Sequence, residues 1–257
     1  MRGRRREPSY SAAGRLPTVS LAAVQIGAVA GRSIRRTLRQ PAMAIPPLVF
    51  PVALMLVNSA GLEPSTLLPG FPTDSFLAFA LAVPFIQGAL FATMGAGTEL
   101  ARDIQTGFLN RLSLTSLRGS ALLLGHLAGV VVLGVGAGGI VVLLVFAILV
   151  SFGFGALGAF LALRTGSGES VQAMFPLLFV FLFISSMNTP RDLIAVEWFR
   201  VLATLNPISY LIECVRSLII TGWDPRALSL GFGIALVIAV VSLVLAAWAL
   251  TRRMTRT

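Results

Sequence analysis

Lysine is missing from this chain: all 20 of its basic residues are arginine. The absence excludes a P-loop lysine gripping nucleotide phosphates and a Schiff-base lysine. Any ATP that drives this protein is therefore hydrolysed on another chain. Cysteine is nearly as scarce. Cys214 stands alone, which rules out an internal disulfide and a thiol framework. Charge of either sign is sparse, at 12% of residues against 56% hydrophobic, with a mean hydropathy of +0.89. A soluble domain carries about 25% charged residues. There is also no HExxH, no pair of acids inside an apolar run and no Ser-His arrangement around His126, which argues against a membrane-embedded enzyme.

What is present is a series of long uncharged blocks. About 20 helical residues cross a hydrocarbon core of about 30 Å, so blocks of this length predict an integral membrane protein. The net charge of +10 is carried by arginines flanking these blocks, where positive-inside anchoring explains them better than nucleic acid does. Residues 1–17 are basic, hold Pro8, Gly14 and Pro17, and are expected to be disordered. Residues 18–41 follow as an amphipathic helix: Val19, Ala23, Ile26, Ala30, Ile34 and Leu38 form one stripe, apart from Arg32, Arg35, Arg36 and Arg39. Its apolar part is too short to span, so it is expected to lie in the headgroup layer. Ala28-Val29-Ala30 imitates a signal-cleavage site, but the arginines directly after it oppose export.

Residues 42–257 are read as a transmembrane domain. Spans are expected at 42–61, where Pro46, Pro47 and Pro51 predict a kink, at 76–97, at 170–187 and at 228–250. Between them, residues 120–163 contain no Asp, Glu or Arg. As one helix these would reach about 66 Å, twice the membrane core, so a fold-back at "GVGAGG", residues 134–139, is expected to make two spans. Arginine counting does not decide between one helix and two, since either topology places sixteen of the 20 arginines inside. Length favours six spans, an all-α architecture with both termini cytoplasmic.

Two polar interruptions carry the functional expectations. In the first, "GTELARDIQTGFLNRLSLTSLRGS", Leu100, Ile104, Phe108 and Leu112 make an apolar stripe, with Glu99, Arg102 and Asp103 on other faces and Glu99 within i,i+3 reach of Arg102. Gly107 should break the stretch into short amphipathic helices below the membrane. That is either a docking knob for another protein's groove or an ordinary solvated loop. In the second, residues 188–227, a short helix is expected to start near Thr189, Asn206-Pro207 to break the chain, and "ISYLIECVRSLII" to resume helically. Ser209, Glu213 and Arg216 would share a face, with Glu213 and Arg216 paired at i,i+3, as a gate or as a plain external seal. His126, alone among ionisable residues inside a predicted span, is read as a neutral histidine bonding across helices rather than a proton relay. The Gly125/Gly129 and Gly134/Gly138 pairs suit tight helix packing. Phe79, Phe85, Phe91, Phe175, Phe179, Phe181 and Phe183 line an apolar cavity or face lipid; the pattern leaves both open.

The first interruption and the block after it resemble the segment following the second span in ABC-transporter permeases of the type-2 exporter family, the daunorubicin- and multidrug-resistance-like group. Gly107, Phe108, Leu109, Arg111, Leu112, Arg118, Leu124 and Gly125 fit that family's pattern, although the proline many relatives carry is absent from "SLTSLRG". The second interruption is similar to the family's Asn-Pro-x-x-Tyr, acid, arginine signature through Asn206, Pro207, Tyr210, Glu213 and Arg216. The resemblance implies a permease subunit exporting an apolar or amphiphilic substrate across the cytoplasmic membrane. It would work as a homodimer or heterodimer of permease copies with two separate ABC ATPase subunits. This chain would bind no cofactor, with ATP and Mg held on the partner subunits. Residues 99–118 would be the coupling helix, 18–41 the interfacial helix, and 188–227 the re-entrant helices closing the outer mouth. The alternative, an ion-coupled secondary transporter, normally places charged sites at mid-membrane, and here the spans hold no Asp, Glu or Arg.

Overall fold

The computed structural model describes residues 41–105 and 137–254, and among them every regular element is helical. The expected interfacial helix, His126, both glycine pairs apart from Gly138, and the C-terminal part of the first interruption lie outside the described residues.

Helix α1, Pro41–Leu62, has no charged residue in its length and stays helical through Pro46, Pro47 and Pro51, each of which removes one backbone donor. A 3-10 turn, Glu63–Leu67, leads into a loop that ends at Ser75. Ser75 caps α2, Phe76–Ala80, and the carboxylate of Glu63 accepts a bond from the Phe76 N–H at 3.2 Å. Phe71, Phe76 and Phe79 pack together over this corner, with ring centroids 4.7–6.1 Å apart. The chain breaks at Leu81 and continues as α3, Ala82–Gln105.

Helix α4, Ala137–Thr165, is about 44 Å long at the standard rise, enough to cross a bilayer once. It ends at Gly166, whose φ of +70° favours glycine. The last membrane-length helix is α9, Pro225–Met254. Among the described residues three stretches, Phe76–Arg102, Gly138–Thr165 and Pro225–Arg253, are long and apolar enough to span. In the first, 82% of the most apolar window is buried inside the protein, against 22% in the last. So α3 is the central helix, while α9 presents Val237, Val240, Val241 and Val244 outward, as a lipid-facing helix does.

The direction of these helices follows from their contacts. Phe85 of α3 stacks on Phe146 of α4, and further along Gly97 meets Gly158, so the two run parallel. Phe146 also meets Phe232 of α9, and Gly153 meets Ala239, so α9 is parallel to both. Their C-terminal ends gather at one face. There the Gln105 amide donates to the Gly166 carbonyl, Arg253 donates to the Leu163 carbonyl, and Trp248 lies between Arg164 and Arg252. Arginine and tryptophan together mark a membrane–water interface.

Three expectations need correction. The second span does not end at 97: α3 runs unbroken to Gln105. No helix breaker stands between Gly97 and Gly107, and Ala101 is buried against Ala162 and Val171. The fifth span is not one helix over 170–187. It is α5, Gly168–Ala173, and α6, Phe175–Phe183, interrupted at Met174 because Pro176 lacks the donor that would continue the ladder. Together they cover about 24 Å, short of a full crossing. Finally, no helix starts at Thr189; Pro190 opens a 3-10 turn, Arg191–Leu193, and α7 begins at Glu197.

The α3–α4 crossing depends on glycine. A Cβ on Gly158 would collide with the Thr93 carbonyl, and one on Gly97 would lie 2.8 Å from the Gly158 carbonyl. Backbone does not yield as a flexible side chain would, so Gly158→Val is expected to cost about 3 kcal/mol or more by overpacking. The check is thermal unfolding of the detergent-solubilised variant. An unchanged melting temperature would mean the helices pack elsewhere.

Candidate functional site

The second interruption forms a hairpin. Helix α7, Glu197–Leu205, runs to an apex at Asn206, and α8, Pro207–Arg216, returns antiparallel to α9, with Cys214 and the Tyr210 carbonyl against Gly231. Asn206 makes the turn in two ways. Its Oδ1 accepts from the Ile208 N–H at 3.0 Å, capping α8, while its Nδ2 donates to the Phe181 carbonyl at the end of α6. Pro207 sits at the first helical position, where its missing N–H costs nothing. Asn206→Asp is thus a discriminating substitution. It keeps the cap but replaces a buried donor with an acceptor facing a carbonyl, and should destabilise by about 2 kcal/mol, no less than Asn206→Ala. Melting temperatures of the two variants check this. A silent Asn206→Asp would show that the cap alone matters.

The hairpin is pinned at its sides. Tyr210 donates its hydroxyl to the Thr204 carbonyl at 2.8 Å, closing the end of α7, and its ring lies under the Arg191 guanidinium, 4.3 Å away. Arg191 also forms an ion pair with Glu213. Burial pulls the Arg191 guanidinium down, but the Glu213 carboxylate beside it more than offsets that, leaving its pKa above the ordinary arginine value. The expected i,i+3 pair of Glu213 with Arg216 is therefore corrected: the hydrogen-bonded partner of Glu213 is Arg191, from the turn before α7.

Arg216 does something else. It is 6% exposed, and its guanidinium donates to three backbone carbonyls, Nε to Phe79, Nη1 to Ser186 and Nη2 to Met187, each at 3.1 Å. It also lies over the Phe79 ring, 3.4 Å from its centroid. All three carbonyls are at breaks in the chain, one at the end of α2 and two in the turn after α6. Breaks free carbonyls that a helix would otherwise satisfy, and at membrane depth no water replaces the lost donor. One planar cation thus serves two separate breaks and ties both to α8. Ser209, two turns earlier on the same face, accepts from the Ser186 N–H at 3.1 Å, so α8 holds that turn twice. Past Arg216 the helix widens into a π-turn, Ser217–Thr221, and stops at Gly222, whose φ is +84°. All five residues expected at an external gate, Asn206, Pro207, Tyr210, Glu213 and Arg216, are brought together on this hairpin.

The coupling set is reached only in part. Glu99, half-buried, and Arg102, exposed, lie in the last two turns of α3, as does Asp103 by its place in the helix. Gly107, Phe108, Arg111, Leu112 and Arg118 lie outside the described residues. The phenylalanines divide: Phe79 and Phe85 are fully buried, Phe181 and Phe183 are exposed, and Phe91, Phe175 and Phe179 pack on one another and on Phe50.

Two features were not anticipated. Arg191 as the partner of Glu213 has no local sequence signal, being 22 residues away. Gln87 of α3 is fully buried, and neither its amide nitrogen nor its oxygen finds a hydrogen bond among the described residues. Among the described residues no group of three His, Cys, Asp or Glu side chains could hold a metal.

Comparison with known families gives one finding. Residues 124–220 match the family described as ABC-2 type transporter, a match that takes in α4, α5, α6, α7, α8 and most of the π-turn. This is consistent with an ABC-2 type permease subunit, the transport component that lacks the ATPase site. Permeases of this kind work with ABC ATPase subunits. The stretch 99–118 precedes the matched region. No curated protein matches the chain.

Proposed function

We propose that this chain, taken as an ABC-2 type permease component in a membrane, exports an apolar or amphiphilic substrate with energy supplied by two separate ATPase subunits. Two permease copies, identical or related, would enclose the pathway, in the cytoplasmic membrane and with both termini cytoplasmic. ATP and Mg would be bound by the partner subunits. Glu99, Arg102 and Asp103, with Gly107, Phe108, Arg111, Leu112 and Arg118, would receive the ATPase movement. Asn206, Pro207, Tyr210, Glu213 and Arg216 would form the external gate.

The observation that carries this reading is the Arg216 bolt. A single residue joins α2, which leads into the central helix, the turn after the broken α6 and the re-entrant hairpin, so that a shift of α3 would be passed through α2 to the hairpin. Because α3 continues without interruption to Arg102 and Asp103, a push at its charged end arrives at Phe79 along one central helix with a single break at Leu81. The parallel course of α3 and α4 supports a return crossing by the chain between them, and so six crossings, the fifth broken.

The test is purification from native membranes followed by reconstitution. A nucleotide-hydrolysing partner should copurify, and amphiphile efflux from vesicles should stop when ATP is withdrawn. Efflux by this chain alone, persisting without ATP and collapsing with an ionophore, would reverse the conclusion in favour of a secondary transporter.

A further inference from the structure

At the end of the bundle opposite Arg252 and Arg253, α7 stands away from α9 and leaves a groove of about 1070 Å³. Its two ends differ in chemistry. At the mouth stand Arg191, Asp192, Arg200, Glu213, Asp224 and Arg226. Deeper in, the walls are apolar: Val201 and Leu205 from α7 face Leu230 and Ile234 from α9. Leu205 is 75% exposed and Leu230 41%, although both are large and hydrophobic. Below Ile234 the exposed side chains of α9 continue in steps of three and four residues through Val237, Val241 and Val244. The groove therefore opens onto the lipid-facing surface of α9.

The charges at the mouth are only partly spent. Arg191 and Glu213 neutralise each other. One oxygen of Asp224 accepts from the Arg226 and Ala227 N–H groups, which starts α9, and its other oxygen makes no hydrogen bond among the described residues. The guanidinium groups of Arg200 and Arg226 and the carboxylate of Asp192 have no partner there either. The mouth thus holds three cations and three anions, with two arginines and two carboxylates still able to bond. A site of zero net charge gives no long-range advantage to a pure anion, but it suits a group carrying both signs. Arginine bonds phosphate oxygens in a planar fork, and a carboxylate takes an ammonium.

We propose that this groove is a binding site for a zwitterionic membrane phospholipid of the ethanolamine type. Its phosphate lies between Arg200 and Arg226, its ammonium group at Asp192 and Asp224, and one acyl chain runs between Leu205 and Leu230 down the outer face of α9. The proposal rests on membrane embedding alone and is independent of ATP-driven export and of the cargo. The bound lipid fills the gap that separates α7 from α9, and seats α7 there in place of direct packing between those two helices.

Native mass spectrometry of the protein, released from nanodiscs containing equal amounts of phosphatidylethanolamine and phosphatidylglycerol, tests it. The wild-type protein should retain phosphatidylethanolamine preferentially. Arg200→Gln with Arg226→Gln should lower that retention about tenfold, the equivalent of one charge-assisted hydrogen bond. Asp192→Asn with Asp224→Asn keeps the α9 cap, since asparagine caps as well as aspartate, and should shift the preference toward phosphatidylglycerol. All four side chains are exposed, so misfolding is not expected, and a monodisperse elution profile confirms that each variant is folded. Equal retention of both lipids by the wild type, or retention untouched by the paired arginine variant, overturns the proposal.

Discussion

Arg216→Met should be among the most damaging single substitutions in the described part of this protein. Removing the guanidinium leaves the Phe79, Ser186 and Met187 carbonyls without their donor in a place water does not reach. If each bond is worth what a neutral interhelical bond is worth in a membrane, about 0.6 kcal/mol, the loss is about 2 kcal/mol. If each behaves as a charge-assisted bond, at about 1.5 kcal/mol, it exceeds 4 kcal/mol. The methionine variant is spared the cost of burying a charge, which lowers the figure, but it repairs none of the three carbonyls. A fall in melting temperature of about 10 °C follows from a loss near 3 kcal/mol in a chain of this size. Arg216→Lys is the informative control. An ammonium keeps the charge but has no planar fork, and cannot reach three carbonyls spread over two chain breaks. It should recover less than half of the loss. Thermal unfolding followed by size-exclusion chromatography measures both variants. If lysine restores full stability, the positive charge and not the three-way geometry is what this position supplies.

The second large effect is expected at the other end of α3. Reversing charge at Glu99 or Asp103 should abolish most ATP-driven transport, by tenfold or more, while the protein still inserts and folds. The magnitude reflects loss of a docking contact: one misplaced like-charge pair at an interface costs several kcal/mol, and about 1.4 kcal/mol already makes a tenfold difference. Arg102, exposed on the same turns, should respond in the same direction to reversal. The readouts are efflux and partner ATPase activity in one vesicle preparation. Uncoupling predicts that hydrolysis continues without efflux, or that the partner no longer copurifies. Normal efflux from a charge-reversed protein would remove this end of α3 from the energy-transfer route. The Arg216 result would stand regardless, because it concerns stability and not coupling.

Much of the architecture was legible along the chain, for a simple reason. Uncharged runs of about twenty residues have one economical arrangement in lipid, and that α3, α4 and α9 are long apolar helices follows from it. The turn at Asn206-Pro207 was visible because a capping side chain and a missing donor act within three residues. The errors share a cause. The apolar run over 170–187 reads as one span, yet Pro176 near its start separates α5 from α6. The second span was ended at its first charges, although polarity does not end a helix when Ala101 still has α4 and α5 to pack against.

Composition and order along the chain determined that this is a helical membrane protein, and that no phosphate-gripping lysine of its own binds ATP. Tertiary structure alone decided the partners of its few polar groups: Arg191 for Glu213, three distant carbonyls for Arg216, Phe181 for the Asn206 amide. The physical reason is distance along the chain. Local rules reach three or four residues, whereas Arg216 and Phe79 are 137 positions apart and meet only after the central helix and the hairpin have packed.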